Sequence, residues 1–149
     1  VNEEMSESAA KAVIFSAISA ANAKVYSMAK ENPDYHGMGT TLVLAVVVGE
    51  NMHIVNIGDS RIYMAEKKAV KQLTRDHTLV QDIDYQMYEL KKESIVLLCT
   101  DGLSNYLEIE KLPELLKNCI RKESLADLID FANDQGGSDN ITAVMLYRK

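Results

Sequence analysis

The chain has 149 residues, 47% hydrophobic and 26% charged, with 16 Lys and Arg against 22 Asp and Glu for a formal net charge of -6. One domain of this size buries about 68–70% of its unfolded surface, enough for a core of its own. The hydrophobic content is too high, and 2 Pro and 7 Gly too few, for a disordered or collagen-like chain; no run of 18 apolar residues suggests a membrane span, and no basic stripe suits nucleic acid.

The first residues, VNEEMSES, lack the basic start and apolar centre of a signal peptide. Two cysteines, Cys99 and Cys119, one of them inside an apolar run, do not make a disulfide framework, so a reducing, cytoplasmic location is expected. Ala10, Val13, Ile14, Ala17, Ile18, Ala21, Val25 and Met28 recur at three and four residues, which predicts a long amphipathic helix ending near Asn32-Pro33. Residues 40–48 (TTLVLAVVV) and 52–57 (MHIVNI) read as strands joined by the turn Gly49-Glu50-Asn51, a β-hairpin. A second, more exposed hairpin follows: residues 61–65 (RIYMA), the turn Glu66-Lys67-Lys68, and residues 69–73. Residues 81–92 alternate only loosely and fit strand or loop. Residues 94–100 (SIVLLCT) are a buried type of strand, and residues 140–147 (NITAVMLY) are the last. Between them Pro113 opens a helix with Leu115, Leu116, Cys119 and Ile120. Ser124 serves as N-cap of another, with Asp127 three residues on, ended by Gly136-Gly137. There is no repeat and no low-complexity linker. Hairpin-linked strands with clustered helices predict an antiparallel α+β layer fold and not a doubly wound parallel sheet.

Three Asp-containing turns stand at strand ends: Gly58-Asp59-Ser60, Asp101-Gly102 and Asp139-Asn140. If the strand ending at Thr100 runs antiparallel to the one starting at Ile141, Asp101 and Asp139 share a rim of the sheet. Asp59 and the small-residue turn Gly37-Met38-Gly39-Thr40 reach a common rim by the same reasoning. Two carboxylates about 4 Å apart repel by about 4 kcal/mol at an effective dielectric of 20, so either one is protonated or a cation lies between them. Hard oxygen donors without His or Cys select Mg²⁺ or Mn²⁺ over Zn²⁺, and such ions support hydrolysis at phosphorus. Taken singly, each of these turns is more often structural than a ligand; three together leave the two readings about even on spacing alone. His36, His53 and His77 read as solvated or satisfied residues, and Glu3-Glu4 and Lys91-Lys92 as solvated faces. No Walker loop, G-x-G-x-x-G, H-E-x-x-H or G-x-S-x-G is present.

Five runs together resemble the metal-dependent Ser/Thr protein phosphatases of the PPM (PP2C) type, particularly the bacterial ones. They are residues 37–42 (GMGTTL), 56–63 (NIGDSRIY), 73–81 (LTRDHTLVQ), 97–106 (LLCTDGLSNY) and 136–142 (GGSDNIT), in the family's order. The resemblance covers the chain from about Ala20 to its end. It implies an α-β-β-α sandwich of antiparallel sheets, with two Mn²⁺ or Mg²⁺ ions at one rim and a bridging water that attacks phosphoserine or phosphothreonine. It also implies that Asp101 and Asp139 are metal ligands, that Asp59 with Asp101 binds a third ion, and that Arg61 and Asn140 support them. No other catalytic residue is assigned. The expected partners are phosphorylated proteins, targets of a Ser/Thr kinase, with no nucleic acid or membrane. The family's N-terminal strand and its Asp-Gly-x-Gly-Gly loop have no counterpart in the chain. Residues 1–149 are therefore expected to be the C-terminal portion of one such domain, with a flap segment omitted near residues 81–82 and only part of the metal cage. The alternatives are a non-catalytic regulatory or binding module on the same scaffold, or an unrelated α+β domain with structural Asp turns.

Overall fold

Ser6 starts the first helix by accepting the Ala9 N–H on its hydroxyl at 3.3 Å, and Pro33 prevents its continuation. The computed structural model describes residues 5–67, 69–77 and 83–149. In chain order they form α1 (Glu7–Glu31), a 3₁₀ turn (Pro33–Tyr35), β1 (Leu42–Val48), β2 (Asn51–Ile57), β3 (Arg61–Glu66) and β4 (Ala69–Gln72). These are followed by β5 (Asp84–Glu89), β6 (Ile95–Cys99), α2 (Asp101–Ser104), α3 (Leu112–Lys122), α4 (Ala126–Asp134) and β7 (Ala143–Tyr147). Lys68 of the second expected turn, the TLVQ end of the third motif and the expected omission near residues 81–82 lie outside the described residues.

All strand pairs are antiparallel, in one sheet of order β1-β2-β5 and another of order β4-β3-β6-β7. Met52 and Ile54 of the first sheet meet Ile62 and Val96 of the second in a core between the sheets. Side chains of opposite parity point outward. On the second sheet Tyr63, Ala65, Leu97 and Cys99 pack beneath Leu112, Leu116 and Cys119 of α3 and Leu128 and Ala132 of α4. On the first sheet Val55 packs with Ile14 and Ile18 of α1. The expected α-β-β-α sandwich is thus formed.

Residues 84–89, ambiguous in the sequence, pair with β2 from Asn51↔Glu89 to Asn56↔Asp84. Alternation is weak there because both faces of this strand are covered: Tyr85 turns to α1 and Tyr88 to the inter-sheet core. Three smaller expectations are corrected. The strands begin or end nearer their centres than the sequence suggests, since residues 37–41 and 139–142 leave the ladders to build the rim. Leu125, not Ser124, is the cap of α4, and the Ser124 hydroxyl accepts the Ala126 N–H one position earlier at 3.1 Å. The one-turn α2 was not foreseen and begins at Asp101 itself. By length and composition alone α1 could cross a bilayer; here Ala10, Ile14 and Ile18 are buried.

Candidate metal centre

The rim is organised by where β6 stops. Its last residue, Cys99, faces Arg61 on β3 and Ala143 on β7. Thr100 then continues the contact with the β7 side. Its N–H donates to Thr142 O at 3.1 Å, its hydroxyl donates to Asn140 O at 3.2 Å, and the Thr142 N–H donates back to that hydroxyl at 3.0 Å. Gly102 seats the next residues on the same loop. A Cβ there would overlap the Asn140 carbonyl oxygen and stand 3.3 Å from the Asp139 carbonyl carbon, so a side chain would push the two turns apart. Asp101 and Asp139, thirty-eight residues apart in a chain whose spacing alone is silent on contact, therefore occupy adjoining turns. The Asn140 N–H donates to Asp139 Oδ1 at 2.7 Å, which orients that carboxylate.

Asp59 stands between the end of β2 and the start of β3, two residues before Arg61, whose partner in register, Cys99, stands two residues before Asp101. Gly58, at φ 102, lies so close to Thr41 that a Cβ would be 2.5 Å from its Cγ2, and Ser60 and Thr41 hydroxyls are 3.0 Å apart. A cleft of about 720 Å³, lined by Tyr26, His36, Gly37 and Met38, adjoins the segment entering this rim.

The donor set fits a hard divalent cation. Asp59 and Asp139 are exposed and Asp101 half-buried, and among the described residues no Lys, Arg or His pairs with any of the three. Ions such as Mg²⁺ are held through one or two carboxylates and keep several waters. The described residues do not assemble three His, Cys, Asp or Glu side chains into one ligand group, so they fit part of a coordination sphere. Two of the histidines stay out of it: His36 is exposed, and buried His53 shares a 2.8 Å hydrogen bond with the Tyr85 hydroxyl.

Arg61 supports the rim from beneath. Its guanidinium grips Asp76 in a fork, with Nη2 2.6 Å from Oδ2 and Nε 3.0 Å from Oδ1, and Nη1 reaches the Tyr63 hydroxyl at 3.3 Å. The Asp76 hydrogen bond raises its pKa, so this cation is committed to Asp76. Next to it, burial pushes the Cys99 thiol up to about 12. Sequence reasoning passed over Thr100, Asp76 and Asn56. The polar cluster of LTRDH was the available signal for Asp76; Asn56 and Thr100 lay inside the quoted runs 56–63 and 97–106 without being singled out.

Comparison with known proteins agrees with this architecture. The family model described as "Protein phosphatase 2C" matches residues 2–84. The serine/threonine phosphatase Stp of Listeria monocytogenes is 30% identical over 160 residues, an alignment covering 85% of this chain and 64% of that protein. The chain therefore spans 64% of the length of this relative. The crystal structure of the serine/threonine phosphatase PstP of Mycobacterium tuberculosis superposes with a TM-score of 0.83 at 29% identity, covering 93% of this chain and 72% of that one. A PstP catalytic domain solved with 2 manganese ions superposes with a TM-score of 0.76 at 31% identity, over 83% of this chain and 65% of that one. With the two-sheet sandwich, the rim turns and the matched family model in agreement, the chain belongs to the protein phosphatase 2C family.

Proposed function

We propose that this chain takes part in the hydrolysis of phosphoserine and phosphothreonine in proteins, assisted by Mn²⁺ or Mg²⁺. The observation that carries the proposal is the seating of Gly102 on the Asp139-Asn140 turn, which brings two carboxylates from distant segments to one rim. Family membership and the manganese-bound PstP domain support it.

In this reading Asp101 and Asp139 hold a pair of ions, and Asp59 with Asp101 a third. Divalent ions held there would supply an acidified water and polarisation of a phosphoryl oxygen. Thr100 keeps the Asp101 turn against the Asp139 loop through three hydrogen bonds, and the Asn140 N–H fixes one Asp139 oxygen. Arg61 is clamped by Asp76 and serves the scaffold, not the phosphate. The net charge of -6 gives phosphoproteins no long-range attraction, so recognition is left to contacts at the rim. Targets of a Ser/Thr kinase are the substrates this chemistry suits, and the free, buried Cys99 and Cys119 suit a reducing cytoplasm.

Manganese-dependent phosphate release from a phosphothreonine peptide tests the proposal. Asp101→Asn and Asp139→Asn are each expected to lower the rate at least a hundredfold. Undiminished turnover in both variants would remove the mechanism. Saturable peptide binding without turnover by the unaltered protein would favour the non-catalytic module.

A further inference from the structure

Asn56 is a polar residue in an apolar strand. It lies on the inner face of β2, between Val43 and Asp84 in register, and is 1% exposed. Its amide nitrogen donates to Gly58 O at 3.1 Å and to Arg75 O at 2.7 Å. Its Oδ1 is buried with no partner among the described residues. A buried acceptor left unpaired is costly, so packing alone gives no reason for an amide at this position.

The two carbonyls it holds suggest the reason. Gly58 immediately precedes Asp59, and its oxygen also accepts the His77 N–H at 3.0 Å. Arg75 belongs to a strap, residues 73–77, that crosses the rim from one sheet to the other. Ile62 ties down its start: the Leu73 N–H donates to Ile62 O at 2.7 Å and the Ile62 N–H donates to the Thr74 hydroxyl at 3.1 Å. The Arg61 fork on Asp76 ties down its end. Asp59 itself makes no hydrogen bond among the described residues, so the backbone on either side determines where its carboxylate stands. Ser60 is held through Thr41 and Gly58 through Asn56 and His77.

We propose that Asn56 is a positioning residue for Asp59: its carboxamide joins the strap to the Gly58-Asp59 turn and sets the place of that carboxylate at the rim. The proposal rests on the reading of Asp59 as a ligand for a divalent ion. Loosening the junction should then weaken metal binding through Asp59 and leave other sources of affinity untouched.

A double-mutant cycle read by Mn²⁺ titration calorimetry of the full chain tests this, with folding verified by circular dichroism. Asp59→Asn and Asn56→Ala are each expected to weaken Mn²⁺ binding about tenfold. The double variant is expected to be no weaker than the worse single variant by more than about twofold, because Asn56 acts only through Asp59. A merely structural role would lower thermal stability without this coupling. Unchanged Mn²⁺ affinity in folded Asn56→Ala, or effects that multiply to about a hundredfold, would overturn the proposal. Should Asn56→Ala not fold, Asn56→Ser retains one hydrogen-bond donor and carries the same cycle, with a smaller expected loss. Asp101→Asn in parallel separates the two ideas. Weakened binding there beside unchanged binding in Asn56→Ala rejects the positioning role and keeps the metal centre, whereas unchanged binding in all variants rejects both.

Discussion

The two outer faces of the sandwich are covered very differently. Beneath α3 and α4 the second sheet presents Tyr63, Leu97 and Cys99 to Leu103, Leu112, Leu116 and Leu128, all buried. Beneath α1 the buried apolar cluster is small, Ile14, Ile18 and Val55, and Leu42, Leu44, Val46 and Ile57 remain half-covered. Much of α1 is alanine, so its helicity owes more to intrinsic propensity than to interlocking side chains. Its layer also admits polar chemistry: the buried His53-Tyr85 pair lies there, with the Lys11 ammonium 4.5 Å from the Tyr85 ring centroid. The contrast teaches that the second sheet with its two helices is the stable block, and that the rim stands where it joins a more lightly covered one.

The strongest way to break this comparison is a matched pair of truncations. Leu97→Ala, in the dry block, should cost about 3–5 kcal/mol by urea denaturation, whereas Ile14→Ala should cost about 2 kcal/mol because its cavity opens toward half-covered neighbours. Equal losses would mean the faces are energetically alike. At the seam, Gly102→Ala should cost about 1–3 kcal/mol, since the new methyl meets the Asn140 carbonyl and not a side chain that could swing away. The same variant should weaken Mn²⁺ binding, measured by calorimetry, by separating the turns of Asp101 and Asp139.

The dryness of the second block has a pH signature. Burial raises the folded-state pKa of Cys99 from 9.0 to about 12. Its neutral thiol therefore contributes full stability below pH about 9, and that contribution is lost as pH rises toward about 12. Between pH 9.5 and 10.5 the protein should lose about 1 kcal/mol more stability than Cys99→Ala does, in denaturant titrations at each pH. Parallel curves would show that water reaches this core. The smallest effect is expected at the surface of the same block. Lys122 Nζ lies 2.6 Å from Asp127 Oδ2 between α3 and α4, but both side chains are largely exposed, so Lys122→Ala should cost no more than about 0.5 kcal/mol. A larger loss would assign the joining of these helices to charge and not to Leu116 and Leu128.

Legibility in the sequence followed the same division. Elements with a strong local signal were plain: α1 from its spacing and from Pro33, α3 from Pro113, and the hairpin of β1 and β2 from its nearly continuous apolar, β-branched runs and the Gly49 turn. β5 was obscure because polar and apolar residues share both of its faces, with Tyr85 packed on one and Tyr88 on the other. The candidate site divided likewise. Asp59, Asp101 and Asp139 stood out as turn carboxylates at strand ends. The residues that arrange them did not, since Thr100, Asn56 and Asp76 each act on at least one partner 15 to 42 positions away, beyond any local pattern.

The sequence by itself determined most of the elements and their order, β5 and the one-turn α2 excepted, with the antiparallel layering and the three acidic turns, because period, turn chemistry and the limits of proline and glycine act over a few residues. Only the tertiary structure decided that Gly102 seats on the Asp139-Asn140 turn, that Asn56 joins two crossing segments and that Arg61 belongs to Asp76. Those outcomes depend on register between distant strands, and register follows from which faces are buried together.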